Sequence, residues 1–207
     1  GDLVRAASEY ESCLLVVVAG STTSSPPPNP PQGCLINLAS VLVDMGGGEE
    51  GEGDAAAAEK EEEYSSRAES LYRRALSYDP NDGDASYNLA LLLQDRRGDE
   101  YATREAAALY SVAASSDPDR WDAWANMAAA LTELRERPLE AARAYERSIV
   151  LLQGDGGEEE SEEERDPSEI DPYLSALYYG YGLQLADLTP GACLILARAP
   201  RSLLIGK

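Results

Sequence analysis

The chain has 207 residues, of which 43% are hydrophobic and 27% are charged, close to the averages of folded globular proteins. Its 38 acidic residues outnumber 17 basic ones, and the net charge of −21 argues against binding to nucleic acid or to an anionic membrane surface, since both need Lys and Arg. The chain has no His, which excludes Ser-His and Cys-His nucleophiles and His-ligated metals, and we predict no catalytic site, metal or cofactor.

Helical periodicity begins at the N-terminus and is interrupted three times. The predicted helices cover residues 2–17, 34–45, 62–78, 84–96, 101–116, 120–135, 138–152 and 173–187. The Pro-rich stretch 21–33 cannot be helical. The stretches at about 46–61 and 153–171 are acidic and rich in Gly, with few apolar residues to bury. We expect both to be disordered inserts, and an acidic recognition segment is the alternative for the second.

Three cysteines, Cys13, Cys34 and Cys193, form an odd set without a CxxC spacing. This pattern fits neither a disulfide framework nor a zinc knuckle, so we predict small buried apolar residues, consistent with a reducing, intracellular compartment. The longest apolar run, Cys13–Ala19, is far shorter than the roughly 20 residues that span a bilayer. Because the chain starts at Gly1 within a helical pattern, we expect a fragment or a processed product.

A set of small and large residues recurs around two prolines. Before Pro80 the set is Ala68, Tyr72 and Ala75, and after it Ser86, Leu89, Ala90 and Leu93. Before Pro118 it is Ala106, Tyr110 and Ala113, and after it Trp124, Met127, Ala128 and Leu131. Two tandem copies at one spacing resemble the tetratricopeptide repeat (TPR), a 34-residue helix–turn–helix unit. The resemblance implies a protein that binds other proteins.

The repeat register extends in both directions from these two copies. Residues 1–20 match the second helix of a truncated repeat, residues 32–187 form the array with its two inserts, and residues 188–207 are unassigned. We therefore predict an all-α fold, a right-handed TPR superhelix of about three to four repeats, with a concave groove lined by the first helix of each pair. The large aromatic residues, such as Trp124, should fill the spaces between helices.

Asparagine recurs at one groove-facing position of three successive repeats: Asn37, Asn88 and Asn126. Gly180 takes this place in the fourth copy. A side-chain amide has one acceptor and two donors, the complement of a peptide unit, so the row can hold an extended peptide. It is similar to the asparagine ladder of the O-linked N-acetylglucosamine transferase TPR region. The alternative is that Asn is a tolerated polar residue on a solvated face.

An acidic residue recurs seven positions after each of these places: Asp44, Asp95, Glu133 and Asp187. If the row is functional, it favours a basic peptide; the alternative is that it reflects the acidic composition of the whole chain. With Tyr87 and Gln94, these residues complete the predicted peptide-binding set, which is Asn37, Asn88, Asn126, Asp95, Glu133, Tyr87 and Gln94.

The repeat register also bears on two functions other than simple peptide binding. TPR proteins that bind a C-terminal carboxylate of chaperones use five Lys, Asn and Arg residues, but the matching positions here are Ile36, Ser40, Asn88, Asp122 and Asn126. Only Asn88 agrees, and without cations a carboxylate partner is not predicted. We expect a non-catalytic interaction module. The alternative is the substrate-recognition segment of an O-GlcNAc-transferase-like glycosyltransferase whose catalytic domain lies outside this chain.

Overall fold

Helices form wherever the sequence has helical periodicity free of Pro and Gly runs. The computed structural model describes residues 2–19, 31–47, 55–96, 98–153 and 172–188, and within these ranges it contains eight α-helices and no strand. The all-α prediction is confirmed. The helices are α1 Asp2–Ala19, α2 Gln32–Gly46, α3 Ala55–Tyr78, α4 Gly83–Gln94, α5 Glu100–Ser116, α6 Trp121–Glu133, α7 Pro138–Gln153 and α8 Pro172–Leu188.

The chain divides into two units, Gly1–Leu92 and Leu93–Lys207, and the division falls within α4. In the first unit α1 packs against α2 and α2 against α3. The buried residues of α2 and α3 follow the predicted register: Leu35, Leu38, Ala39, Leu42, Ala68, Tyr72 and Ala75. Tyr72 shows how the hairpin is joined, because its hydroxyl lies 2.9 Å from Oγ of Ser40.

In the second unit each helix from α5 to α8 packs against the next, and α6 also contacts α8. Small residues let the helices approach closely, and larger side chains fill the remaining space. The buried residues include Ala106, Tyr110, Ala113, Met127, Ala128, Leu131, Ala141 and Tyr145. Trp124 is only half-buried, and its indole donates to the Pro118 carbonyl at 3.0 Å.

The two Asp-Pro segments form the same turn. Asp79 Oδ1 accepts a hydrogen bond from the Asn81 amide at 3.0 Å, and Asp117 Oδ1 accepts one from the Asp119 amide at 3.2 Å. Such Asx turns compete with helix continuation. In the first turn Asp82 also caps α4, since its Oδ1 accepts from the Ala85 amide at 2.8 Å.

The predicted start of the third helix was wrong. The helix α3 begins at Ala55, seven residues before the predicted start, so residues 55–61 of the first acidic insert are helical. The segment AAAAEKEEE consists of strong helix formers, and propensity outweighs its lack of apolar residues. The end of α2 lies close to this helix, because a Cβ added to Gly46 would be 3.6 Å from the Cα of Glu61. Residues 48–54 and 154–171 lie outside the described part, as does the unassigned tail beyond Leu188.

The prediction for Cys13 and Cys34 was also wrong. These residues form a disulfide with an S–S distance of 2.12 Å and a Cα–Cα distance of 6.5 Å, which joins α1 to α2. The two cysteines are 21 residues apart, and only the packing of α1 on α2 brings them together. Cys193 lies outside the described residues. No helix in the described ranges is both long and apolar enough to cross a membrane.

Candidate functional site

One side of α2, α4 and α6, each the first helix of a repeat, is open to solvent. We define the Asn stripe of a helix as four positions spaced i, i+4, i+7 and i+11, which share one face. The stripe of α2 is Gly33, Asn37, Ser40 and Asp44. That of α4 is Asp84, Asn88 and Leu91, with Asp95 directly after the helix. That of α6 is Asp122, Asn126, Ala129 and Glu133. Every member is exposed or half-buried, whereas other faces of these helices carry buried residues. The repeat register therefore selects an accessible surface.

The stripes of α4 and α6 have the same chemistry. Each begins with Asp, places Asn one turn later, continues with an apolar residue, Leu91 or Ala129, and ends with an acid, Asp95 or Glu133. The apolar position was missed in the sequence analysis, although the spacing alone reveals it. In α2 the third position is Ser40, whose Oγ lies 2.9 Å from the Tyr72 hydroxyl, so this side chain is engaged within the hairpin.

Two predicted site residues, Tyr87 and Gln94, lie outside the Asn stripe. Tyr87 is 9% exposed, so most of its ring is withdrawn from solvent. Gln94 is half-buried, and its Oε1 accepts a hydrogen bond of 2.6 Å from the Tyr110 hydroxyl. This bond joins the end of α4 to α5. Asn88 of α4 is half-buried, and Asp95, one residue past the end of α4, is exposed.

In α8, packing explains why Gly180 replaces the fourth Asn. Gly180 is buried, and a Cβ added there would lie 2.5 Å from Cζ and 2.7 Å from Oη of Tyr145. Such distances are too short for any side chain at this position unless the ring moves. The amide row therefore ends where the Tyr145 ring of α7 reaches α8.

Two contacts show that α6 and α8 run side by side in the same direction. The rings of Trp121 and Tyr173 meet edge to face with centroids 5.9 Å apart, near the start of each helix. Near the other ends, Gln184 Nε2 donates to Thr132 Oγ1 at 3.1 Å. The partners are eleven residues apart along both helices, which requires a parallel arrangement.

A buried polar cluster holds α6, α7 and α8 together. Thr132 Oγ1 donates to the Ala128 carbonyl at 2.7 Å and lies 3.5 Å from the Tyr145 hydroxyl, while Gln184 is only 5% exposed. Burial raises the pKa of the Tyr145 phenol above its ordinary value, and the Thr132 hydrogen bond opposes that shift. The phenol is therefore protonated at neutral pH and can act as a donor.

The charged groups of the stripes are acidic. Asp95 and Glu133 are exposed, and Asp122 Oδ1 pairs with Arg120 Nε at 3.2 Å. None of the twelve stripe positions in α2, α4 and α6 is Lys or Arg. The arrangement provides acceptors for cationic side chains, and it lacks the cations that a carboxylate partner needs.

Comparisons with known proteins identify the fold. No protein-family model matches the chain, and no curated protein sequence matches it. A crystal structure of the MamA protein is similar with a TM-score of 0.60 and 17% identity, over 96% of this chain and 81% of that chain. A second similar structure, described as MamA AMB-1 P212121, has a TM-score of 0.57 and 13% identity, over 99% of this chain and 89% of that chain. At such identities the likeness establishes the fold alone, which is an all-helical, TPR-like repeat fold.

Proposed function

We propose that the chain is a non-catalytic protein-interaction scaffold that binds extended peptide segments along its Asn stripes. The observation that supports this most directly is the recurrence of one exposed pattern on α4 and α6, with Asn88 and Asn126 at its second position. Helix surfaces without a shared role vary freely, because surface substitutions change stability little. A repeated polar pattern on the accessible side therefore favours recognition.

The amides account for binding that depends little on the partner's side chains. Each Asn side chain can accept one hydrogen bond from a backbone N–H and donate to a backbone carbonyl. An extended peptide presents both groups to one side at regular intervals. Asn37 and Asn88 in the first unit and Asn126 in the second share one register position, which supports a common role.

The acids at the stripe ends give the scaffold a preference for basic partners. Asp95 and Glu133 are exposed, so each contact with Lys or Arg contributes at most about 1 kcal/mol and weakens as salt rises. The main effect of the acids is thus to select partners and to speed their encounter. Apparent affinity for basic peptides should decline as NaCl is raised from 50 to about 500 mM, whereas neutral peptides should be unaffected.

A second candidate function is the substrate-recognition segment of an O-GlcNAc-transferase-like glycosyltransferase. It is supported only by the resemblance of Asn37, Asn88 and Asn126 to the asparagine ladder of that enzyme. The similar structures do not add to this support, since their likeness concerns the fold alone. A glycosyltransferase domain on the same polypeptide would be the observation that favours it.

The scaffold proposal is tested with peptides selected from a random 12-residue display library on the full chain. Replacing Asn88 and Asn126 by Ala should raise the Kd of the selected peptides about 5- to 150-fold. This is the equivalent of about 1–3 kcal/mol for peptide backbone groups left without partners. The matched control replaces Ser77 and Ser115 by Ala, because both are exposed and occupy equivalent positions of α3 and α5. Fluorescence anisotropy measures the affinity, and an unchanged Kd in the Asn variant would refute the proposal.

A further inference from the structure

The last described helix carries an exposed apolar face. Tyr173, Ala176, Tyr179 and Leu183 lie on one side of α8, at spacings of three, three and four residues. The exposed fractions are 67% for Tyr173, 42% for Tyr179 and 40% for Leu183. Single exposed apolar residues are ordinary, but a row of them on one helix marks an interaction surface.

This face overlaps the register of the α6 Asn stripe only in part and has different chemistry. Counted by repeat position, Tyr179 and Leu183 of α8 take the places of Ala125 and Ala129 of α6. Ala125 is buried and Ala129 is half-buried, so α6 offers little apolar area there. At these two positions α8 therefore carries large side chains that reach solvent, whereas the place of the Asn itself is taken by the buried Gly180.

An acidic residue lies beside this apolar face. The hydrogen bond between Gln184 and Thr132 brings the end of α6 against α8. The neighbours of this pair in sequence, Leu183 and Glu133, are both exposed. Adjacent packed helices have axes about 8–10 Å apart. Glu133 and the apolar face therefore belong to one accessible surface, which we call the α6–α8 surface and define as Glu133, Tyr173, Ala176, Tyr179 and Leu183.

We propose that the α6–α8 surface binds an extended peptide carrying a large apolar residue and, about three positions away, a Lys or Arg. The inference rests on the proposed function and specifies its partner. Charge complementarity to Glu133 fixes the sign of the partner, and Tyr179 with Leu183 provides the apolar contact. A strand rises about 3.3 Å per residue, so three residues cover the distance between the axes of α6 and α8.

The test uses the same display library on the full chain. Peptides selected on the wild type should combine a large apolar residue with Lys or Arg two to four positions away. Replacing Tyr179 and Leu183 by Ala should weaken the binding of those peptides at least tenfold. The Glu133→Lys variant should instead select peptides with Asp or Glu at the position where the wild type selects Lys or Arg. The apolar control replaces Tyr101 and Leu139, exposed residues of α5 and α7, and the charge control is Glu63→Lys.

The results separate this inference from the scaffold proposal. If the Asn88 and Asn126 variant loses affinity while the Tyr179 and Leu183 variant binds normally, the scaffold proposal stands and the α6–α8 proposal is wrong. Selection of no peptide at all would overturn both. Selected peptides without an apolar residue, or an unaltered preference in Glu133→Lys, would overturn the α6–α8 proposal alone.

Two other occupants of the surface are distinguished with a Leu183→Asp variant. If the surface is open to a peptide, this variant should melt within about 2 °C of the wild type, because exposed substitutions change stability little. A fall of several degrees at low protein concentration would assign the surface to the chain's own residues 189–207. A mass by light scattering that doubles with concentration in the wild type, but not in the variant, would assign it to a second copy. Either result overturns the proposal.

Discussion

Gly180 of α8 lies against the ring of Tyr145 in α7, so closely that an added Cβ would be 2.5 Å from the ring carbon Cζ. The ring cannot easily move aside, because Tyr145 is 6% exposed and its hydroxyl lies 3.5 Å from Thr132 Oγ1. This contact fixes the packing of α8 on α7 and ends the row of asparagines.

The first prediction follows from this contact. Restoring the row with Gly180→Asn should lower the free energy of unfolding by about 1–3 kcal/mol, the usual effect of overpacking. Urea denaturation measures the change. Gly33→Ala serves as the control and should be neutral or stabilising, since no atom lies within 4 Å of the added Cβ. Wild-type stability of Gly180→Asn would mean that the Tyr145 ring leaves this position readily.

The second prediction concerns the disulfide between α1 and α2. Replacing Cys13 and Cys34 together by Ala should reduce the free energy of unfolding by about 3 kcal/mol, because the bond closes a loop of 21 residues in the unfolded chain. Thermal unfolding with and without reductant provides the measurement. Reductant should lower the melting temperature of the wild type and leave the double variant unchanged. Quantitative alkylation of both thiols in the folded, unreduced protein would contradict the pairing.

Two serine hydroxyls, one without and one with a hydrogen-bond partner, lead to a third prediction with opposite signs. Ser86 and Ser148 are fully buried, and their Oγ atoms have no hydrogen-bond partner in the described part of the chain. Ser148→Ala should therefore stabilise the protein by about 1 kcal/mol, since it removes a desolvated polar group. Ser40→Ala should destabilise it by about the same amount, because it removes the partner of the Tyr72 hydroxyl. Equal losses in both variants, measured by urea denaturation, would show that Ser148 is satisfied.

A fourth prediction concerns the end of α6. The Arg135 amide donates to the Thr132 carbonyl and the Glu136 amide to the Leu131 carbonyl, the bonds of a Schellman motif, and Arg135 has a φ of 53°. Glycine is favoured at this left-handed position. Arg135→Gly should raise the free energy of unfolding by about 0.5–1 kcal/mol. The same change at Arg143, exposed in the interior of α7, should lower it by about 1 kcal/mol.

The sequence alone determined the helices and their turns. Seven of the eight helices begin and end within two residues of the predicted bounds, because periodicity, Pro80 and Pro118 act over a few residues. The start of α3 was misplaced by seven residues. The acidic, Gly-rich composition predicts disorder there, whereas the local propensity of Ala and Glu for helix decides the outcome.

The exposed site was predictable only in part. Register placed Asn37, Asn88 and Asn126 on accessible faces, since one helical position gives one direction relative to the core. The same register cannot tell which neighbour a side chain will meet. Gln94 accepts a hydrogen bond from the Tyr110 hydroxyl, a contact between residues 16 positions apart that register does not reveal.

Tertiary structure decided the features that depend on residues far apart in the chain. The Cys13–Cys34 bond, the contact of Gly180 with Tyr145 and the parallel pairing of α6 with α8 each need two helices at a defined distance and rotation. Composition and spacing carry no such information, because a helix with one apolar side can pack in several registers. The choice among them is made by close packing of particular side chains, and that choice brings Glu133 beside the apolar face of α8.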